Sequence, residues 1–270
     1  TGVAHAELCG FPMLAITGQK AVQGNSQGRF QLVDVVNMMR PLTKSAVSIL
    51  DPRQIPAIVH DAVCTAETYR QGVAHVELPE DIAGTELPDT VKVHKGFKQQ
   101  HTPPDTHAVE EAAELLKSAK HPAIIVASNA NTPGVSEVLT KFVDQTQIPI
   151  TSTQMAKGVI AEDHPSSLFT TGIHKKDYIH CGLERSDLLL TIGYDIAEHP
   201  PALLNPDGRT PILHIDYAPA RSDECYNPVC ELTGDIRLSV ELLLQKLPNY
   251  HVDPTERTKL RRFLLEHLHD

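Results

Sequence analysis

The sequence predicts an α/β protein with two parallel-sheet segments joined by a polar stretch. In the first segment, a strand, a helix and another strand follow one another between residues 45 and 78, and this βαβ order implies parallel strands. In the second segment, from about residue 106, short apolar runs alternate with helical patterns, which is typical of a doubly wound sheet. Between them, residues 80–105 lose the apolar periodicity and become rich in proline and lysine, which indicates a linker.

The elements of the first segment follow from apolar spacing and from stop signals. A short apolar run that ends at Gly18 predicts a buried strand, and a loop rich in Gly, Gln, Ser and Asn follows it over residues 19–28. Asp51 and Pro52 supply an N-cap and a first-turn proline for a helix. The predicted elements are a strand at 12–18, a helix at 34–39, a strand at 45–50, a helix at 51–70 and a strand at 73–78.

The second segment contains four buried apolar runs and several helical patterns. The run at 187–193 is the clearest buried strand of the chain. The predicted elements are a helix from 106, a strand at 122–127, a helix at 136–145, a strand at 149–152, a helix at 178–185, strands at 187–193 and 211–216, a helix at 236–247 and an amphipathic helix at 256–269.

Composition and charge exclude several classes of protein. The 270 residues fit one large domain or two modest ones, and no run of about 18 apolar residues indicates a membrane span. Lys and Arg number 24 against 34 Asp and Glu, and this net charge of −10 disfavours a nucleic-acid binder. The five cysteines are scattered, and Cys225 and Cys230 lack the second pair that a zinc site needs. We therefore expect a cytoplasmic protein with reduced cysteines and no metal site. The chain starts at Thr1 without Met and without a preceding cap or turn signal, so we expect this start to be a cut.

Ligands in such sheets bind beyond the carboxyl ends of the strands, so residues at three strand ends are candidates. They are Ile16 to Gln19, Ile192 to Asp195, and His214 to Asp216. An Asp just past a strand can hold ribose hydroxyls, but no G-x-G-x-x-G motif follows any strand. A nucleotide site and a purely structural strand terminus both stay open. No G-x-S-x-G elbow is present to indicate a nucleophilic serine.

Nine short motifs follow one another along the chain, namely TGVAHA at 1–6, PMLAITGQ at 12–19, FQLVD at 30–34, RPLTK at 40–44, VELPED at 76–81, TQMAKG at 153–158, EDHP at 162–165, TIGYD at 191–195 and HID at 214–216. Each motif is short, but together they extend over nearly the whole chain. In this order they resemble the motifs of thiamine-diphosphate-dependent acetolactate synthases and their relatives.

The resemblance implies a half pyrimidine-binding domain and a complete six-stranded central domain. It places the partial domain at 1–85, a linker at 86–105, the central domain at 106–250 and a helical extension at 251–270. In the family, the Glu that contacts the cofactor's aminopyrimidine precedes the position of Thr1. The diphosphate-binding domain, with its Gly-Asp-Gly start and Mg²⁺ ligand, follows the central domain, and nothing after Leu247 resembles it. We expect a fragment that is inactive alone, from an enzyme that is a homo-oligomer at full length.

The resemblance also assigns cofactors and site residues. Gln19, Phe30 and Gln31 match family positions that border the cofactor and substrate cleft, and Phe30 packing in the core is the alternative. Thiamine diphosphate and Mg²⁺ are implied for the parent enzyme, which would decarboxylate pyruvate and join the product to a second 2-oxo acid. No catalytic residue and no metal ligand is assigned within the chain. FAD is not favoured, because residues 127–130 and 193–198 depart from the pattern of FAD-binding members and look more like the FAD-independent catabolic type.

Two other functions stay open. A non-catalytic structural or nucleotide-binding α/β module would use the same central fold, and a flavin-like absorbance band would favour it. An NAD-dependent deacylase has a similar fold, but it would need a glycine-rich NAD loop and usually a four-cysteine zinc site, and the sequence shows neither.

Overall fold

The computed structural model describes residues 1–23, 32–88, 90–93, 102–172 and 177–267. The chain divides into two compact units, Thr1–Gln100 (unit 1) and His101–Asp270 (unit 2). Phe30 and Gln31, two of the three predicted cofactor-binding residues, lie outside the described residues.

Unit 1 contains a three-stranded parallel sheet. The strand order is β1-β3-β2, and Ile16 of β1 and Val47 of β2 both align with Val76 of β3. Among the described residues, the elements are α1 (Gly2–Cys9), β1 (Met13–Gln19), α2 (Val35–Met39), a 3₁₀ turn (Arg40–Leu42), β2 (Ser45–Ser48), a 3₁₀ turn (Pro52–Gln54), α3 (Ile55–Glu67), β3 (Val73–Pro79) and α4 (Glu80–Ala83).

The core of unit 1 lies between β3 and the amphipathic face of α3. Ala62 and Ala66 of α3 are buried with Ala74 and Val76 of β3. Asp51 accepts a hydrogen bond from the Arg53 N–H, so the predicted cap does start this segment, although the first turn is 3₁₀. The two outer strands are less buried, and the side chains of Ile16 and Val47 are 59% and 40% exposed.

Unit 2 contains a six-stranded parallel sheet with the order β6-β5-β4-β7-β8-β9. Asp105 and Asp235 cap two of its helices by accepting hydrogen bonds from backbone N–H groups of the first turn. Its elements in the described residues are α5 (Thr106–Ser118), β4 (Pro122–Val126), α6 (Val135–Thr146), β5 (Ile150–Ser152), β6 (Ser167–Thr170), α7 (His180–Glu184), β7 (Leu188–Ile192), α8 (Pro201–Leu204), β8 (Ile212–Asp216), β9 (Cys230–Thr233), α9 (Ile236–Gln245) and α10 (Pro254–His267).

The sheet of unit 2 has a hydrophobic core on each face. Ile124 and Val126 of β4 pack with residues of α5, α6 and α9, whereas Ala123 and Ile125 pack with Leu183 of α7 and with α8. Every position of β4, β7 and β8 is buried, as expected for strands covered on both faces. The predicted fold class, parallel sheets with a doubly wound six-stranded second part, is therefore confirmed.

Among the described residues, the apolar pattern did not predict the helices α1, α4 and α8 or the strands β6 and β9. The strands β6 and β9 lie at the two edges of the sheet and have four residues each, too short for a periodic signal. The helix α1 has no side-chain N-cap, and its apolar residues do not gather on one face. Short edge strands and an uncapped helix form through tertiary contacts, which local spacing does not encode.

The last helix, α10, packs on unit 2. Leu264 is buried against Leu168 and Ile179, and the Arg261 guanidinium donates to the backbone oxygens of Glu162 and Ser167. Among the described residues, no helix combines the length and apolarity that crossing a membrane requires.

Candidate functional site

The crevice where ligands bind in a doubly wound sheet lies between β4 and β7 in unit 2. From β4 the chain proceeds to β5 and β6 on one side, and it then returns to β7, β8 and β9 on the other side. The connections therefore diverge at the carboxyl ends of β4 and β7. A 3₁₀ turn, Ser128–Ala130, follows β4, and Gly193 follows β7.

The side chain of Glu198 occupies the backbone donors of this crevice. Its two carboxylate oxygens accept hydrogen bonds from the N–H groups of Ser128 and Met155, both at 3.0 Å. The turn that carries Glu198 is held by Asp195, whose carboxylate accepts from the Ala197 N–H at 2.9 Å. The single carboxylate of Glu198, in the segment after β7, is thus hydrogen-bonded to the segments that follow β4 and β5.

A second polar bridge lies beside the first. The Asn129 side-chain amide donates to Asp216 at the end of β8, at 3.0 Å, and the Asn129 backbone N–H donates to the Gly193 oxygen at 3.1 Å. The other oxygen of the Asp216 carboxylate accepts from the Tyr217 N–H. The predicted candidates at the ends of β7 and β8 are therefore brought together, but by bonds within the chain.

Gly193 allows the loops to approach this closely. Its φ is +66°, and a Cβ at this position would lie 2.3 Å from the Ala130 nitrogen. An L-residue would have to adopt a left-handed conformation and would collide with backbone atoms. Only glycine fits here without a shift of the Ser128–Ala130 turn.

The residues of the crevice do not fit FAD or another dinucleotide. A dinucleotide places its diphosphate on free N–H groups at a strand-to-helix turn. Here two backbone N–H groups, those of Ser128 and Met155, already bind Glu198, and the negative charge of Glu198 would repel a phosphate. The helix that follows β4, α6, begins only at Val135, so its N-terminus does not come directly after the strand. The arrangement closes the crevice and stabilises the carboxyl edge of the sheet.

Beneath the crevice, a buried hydrogen-bond chain joins β7 to β8. Nε2 of His214 is 3.3 Å from the Ala218 oxygen, which only accepts, so Nε2 carries the proton and Nδ1 accepts from the Tyr226 hydroxyl at 2.8 Å. The Tyr226 hydroxyl in turn accepts from Thr191 at 2.6 Å. Burial lowers the pKa of His214 and raises that of Tyr226, so both stay neutral.

A second buried cluster contains two stacked histidines. His180 donates from Nδ1 to Asp177 at 2.8 Å, and its Nε2 is 3.2 Å from the Thr171 hydroxyl. The ring of His199 stacks on His180 at 5.8 Å, and its Nδ1 is 3.4 Å from the Tyr194 hydroxyl. Burial and the neighbouring His180 lower the pKa of His199 to about 4. Thr171 and His180 are each about 1% exposed, whereas the Asp177 side chain is 35% exposed, so only the histidine and the threonine of this series are buried.

In unit 1, Gln19 lies at the carboxyl end of β1, as predicted. Its Nε2 donates to the Val33 oxygen at 2.7 Å and to the Glu77 carboxylate at 3.0 Å. Its Oε1 accepts from the Lys20 N–H at 2.9 Å. Both amide protons are thus bound within the chain, and one lone pair of Oε1 is left for a ligand that donates.

His75 of β3 binds the hydroxyl of Thr17, which lies two residues before Gln19 on β1, at 2.9 Å. Its Nδ1 is buried without a partner, and burial lowers its pKa. Within the described ranges, no group of three or more His, Cys, Asp or Glu side chains is arranged to hold a metal ion. The thiols of Cys225 and Cys230 donate to different carbonyl oxygens, those of Pro206 and Ala108.

Sequence reasoning missed the role of Glu198. It marked Gly193, Asp195 and Asp216 as strand-end residues, and it named the stretches that contain Asn129 and Glu198 only for their departure from an FAD pattern. No local signal shows which backbone donors a carboxylate will reach in a neighbouring loop.

Comparisons with known proteins match most of the chain. Residues 109–244 match the family described as the thiamine pyrophosphate enzyme central domain. The chain is 31% identical to a probable acetolactate synthase large subunit of Methanococcus aeolicus, over 92% of this chain and 42% of that protein. It is 29% identical to the acetolactate synthase of Bacillus subtilis, over 87% and 41%, and 31% identical to the acetolactate synthase large subunit of Corynebacterium glutamicum, over 91% and 40%.

These matches include more residues than unit 2 contains, so the similarity extends into unit 1. The chain spans about two fifths of the length of these curated relatives. The matched family domain coincides with the doubly wound sheet and its flanking helices. The chain belongs to the thiamine pyrophosphate enzyme family, and residues 109–244 form its central domain.

Proposed function

We propose that this chain is part of an acetolactate synthase-like enzyme that decarboxylates pyruvate and joins the product to a second 2-oxo acid. The observation that carries the proposal is the similarity to acetolactate synthases over both units, about nine tenths of the chain. This extent exceeds the central domain, which occurs in enzymes with other substrates. The class of such an enzyme is transferase or lyase.

Within this function, we assign Gln19, Phe30 and Gln31 to the border of the cofactor and substrate cleft. Thiamine diphosphate supplies an electron sink for the carbanion that decarboxylation leaves. Gln19 fits a role as an acceptor, because Val33 and Glu77 fix its amide and leave one lone pair of Oε1 for a donor on the ligand. The assignment of Phe30 and Gln31 rests on the resemblance of their motif.

Further properties belong to the same proposal. Mg²⁺ would accompany thiamine diphosphate, and the full-length protein would be a cytoplasmic homo-oligomer. Residues 1–85 would be part of the pyrimidine-binding domain, 86–105 a linker, 106–250 the central domain and 251–270 a helical extension. We assign unit 2 a structural role, since its crevice is closed by its own side chains.

Acetolactate formation tests the proposal. The natural gene product that contains these residues is assayed with pyruvate, thiamine diphosphate and Mg²⁺, and acetolactate is measured after its conversion to acetoin. We expect turnover that depends on the diphosphate cofactor, and no turnover by the 270 residues alone. Failure of the natural product to release CO₂ from pyruvate would overturn the proposal.

Gln19 gives a residue-level test in the same protein. Gln19→Leu keeps the approximate size of the side chain and removes the acceptor, and it should raise the KM for thiamine diphosphate. Gln145→Leu, on the outer surface of α6, is the matched control and should leave this KM unchanged. An unchanged KM in Gln19→Leu would remove Gln19 from the site.

A further inference from the structure

Arg257 of α10 is a buried cation without an acidic partner. Its side chain is 8% exposed, and Nη1 donates to the Gln147 backbone oxygen, to the Gln147 side-chain oxygen and to the Ser166 hydroxyl, at 3.1, 3.1 and 2.6 Å. All three acceptors are neutral. In the part of the chain that the structure describes, no carboxylate lies within 4.0 Å of this guanidinium, and its Nε is buried without a hydrogen-bond partner.

This environment is unfavourable for a positive charge. Burial and the nearby Arg261 both lower the pKa of Arg257, yet a guanidinium stays charged at neutral pH. A buried charge is stable only where an opposite charge or enough hydrogen bonds compensate it. A buried polar atom with no partner points to an ion or water that the protein atoms do not supply.

Arg257 lines a cavity of about 430 Å³ at the amino ends of β4 and β5. The floor is apolar and includes Pro122, Ala123 and Leu260. The exposed rim carries Lys120 and Arg185, which place two more positive charges at the opening. The cavity lies at the amino ends of the strands, whereas the Glu198 crevice lies at their carboxyl ends.

The two acidic residues of the cavity wall are bound elsewhere. The Asp253 carboxylate accepts from the N–H and the hydroxyl of Thr255, at 2.9 and 2.6 Å. Glu256 pairs with Lys259 at 2.8 Å. Neither pairs with Arg257, and the lining carries three positive side chains, those of Lys120, Arg185 and Arg257, against these two carboxylates.

We propose that the Arg257 cavity binds a small oxyanion, the phosphate or carboxylate group of a metabolite whose apolar part lies on Pro122, Ala123 and Leu260. Arg257 binds the oxyanion from the floor, and Arg185 and Lys120 bind it from the rim. Guanidinium groups suit this ligand because their N–H groups match two oxygens of a carboxylate or phosphate. A cavity of this size holds a small metabolite. The site is independent of the carboligation chemistry.

Binding is measured by calorimetry on the full chain, with inorganic phosphate and pyruvate as separate probes at matched ionic strength. Heat with phosphate alone assigns the cavity to phosphate groups, heat with pyruvate alone assigns it to carboxylates, and heat with both supports a general oxyanion site. We expect a Kd of about 1 mM, the range of a small ligand held by a few charged contacts. No heat with either probe up to about ten times that concentration would overturn the proposal.

Variants locate the binding. Arg257→Gln should abolish it, and Arg185→Ala and Lys120→Ala, on the exposed rim, should each weaken it about fivefold, in keeping with the loss of one exposed charge contact. Arg262→Ala removes an exposed arginine of the same helix and should leave the Kd unchanged. If Arg257→Gln does not fold, the Kd values of Arg185→Ala and Lys120→Ala show whether the anion binds in this cavity. Equal Kd values in the rim variants and in Arg262→Ala would place the anion elsewhere and overturn the proposal.

Discussion

Asn129 and Asp216 connect β4 to β8 across the intervening strand β7, through a hydrogen bond of 3.0 Å. Glu198 adds a second connection, from the segment after β7 to the segments after β4 and β5. The carboxyl edge of the sheet is therefore held by side chains at the position where related folds bind a nucleotide. The structural role that we propose for unit 2 depends on these contacts, and several substitutions test them.

Gly193→Ala should be strongly destabilising. The new Cβ would lie 2.3 Å from the Ala130 nitrogen, and the φ of +66° is unfavourable for alanine. We expect a loss of about 3–5 kcal/mol in the free energy of unfolding, the sum of a left-handed backbone and overpacking against main chain. Urea unfolding followed by tyrosine fluorescence measures it, because the chain has no Trp and all tyrosines except Tyr69 lie in unit 2.

Gly158→Ala is the matched control for the backbone term. Gly158 also has a positive φ, +95°, but nothing lies within 4 Å of the point that an alanine Cβ would occupy, so only the conformational cost of about 1–2 kcal/mol applies. If the two variants were equally stable, Gly193 would not approach the Ser128–Ala130 turn as closely as the structure shows.

Glu198→Ala should destabilise unit 2 by about 2 kcal/mol, because two backbone N–H groups lose a charged acceptor and regain only water. Glu198→Gln keeps one acceptor oxygen and should lose about half as much. Urea unfolding measures both, and Glu224→Ala, at an exposed position, is the control. A Glu198→Ala variant as stable as Glu224→Ala would show that the carboxylate does not hold the loops.

The same carboxylate should exclude flavin. After incubation with FAD and gel filtration, the purified chain should show no flavin absorbance, because the N–H groups that a diphosphate needs bind Glu198. Stoichiometric retention of flavin would contradict the closed crevice.

Tyr226→Phe should cost about 1–3 kcal/mol, the range for leaving buried polar partners unpaired. The hydroxyl binds both Thr191 and His214, and its loss leaves the buried Nδ1 of His214 only the longer contact with the Thr191 hydroxyl, at 3.4 Å. Tyr194→Phe, in the ring stacked on Tyr226, removes a hydroxyl that binds the His199 oxygen and should cost less, since that carbonyl keeps a second lone pair for other donors. The two midpoints in urea give the comparison, and equal losses would argue against the chain from Thr191 to His214.

Most of the fold could be predicted from the sequence because its buried strands are continuous apolar runs. The runs that form β4, β7 and β8 have apolar residues on both faces. The N-cap residue Asp51 marks the beginning of a helical segment, and the prolines of residues 80–105 mark the boundary between the two segments. The edge strands β6 and β9 were not predictable in this way. Each has four residues, and its pairing depends on a neighbour far away in the chain.

The site was predictable only in part. Glycine and Asp at strand ends mark a crevice, and Gly193 and Asp216 do lie there. Whether the crevice is open depends on the carboxylate of Glu198, which lies 70 residues along the chain from the Ser128 N–H that it binds. The spacing of residues in the sequence does not show that these two groups are close in the fold. The buried Arg257 was hidden for a similar reason, since a lone Arg on an amphipathic helix normally indicates a solvated face.

His199 should make unit 2 less stable in mild acid. Burial lowers its pKa to about 4, below the ordinary value of 6.5, so the folded state resists protonation. Between about pH 4 and pH 6.5 the unfolded chain binds more protons than the folded chain, and the free energy of unfolding must therefore rise with pH. The stability is complete above about pH 6.5 and falls by up to about 3 kcal/mol as the pH approaches 4.

The neighbours of His199 do not reverse this sign. Burial also lowers the pKa of His214, which adds to the same trend. Burial raises the pKa of Asp177, but hydrogen bonds from His180 and Gly172 outweigh this effect and leave the pKa below 3.8. This carboxyl group therefore changes the stability only below the range from about pH 4 to pH 6.5. His199→Gln removes the titrating group, and in a urea series from pH 4 to pH 7 it should reduce the slope by up to about 1.4 kcal/mol per pH unit. His107→Gln, at an exposed position of α5, should keep the full slope, and identical slopes in the two variants would show that His199 does not resist protonation in the folded protein.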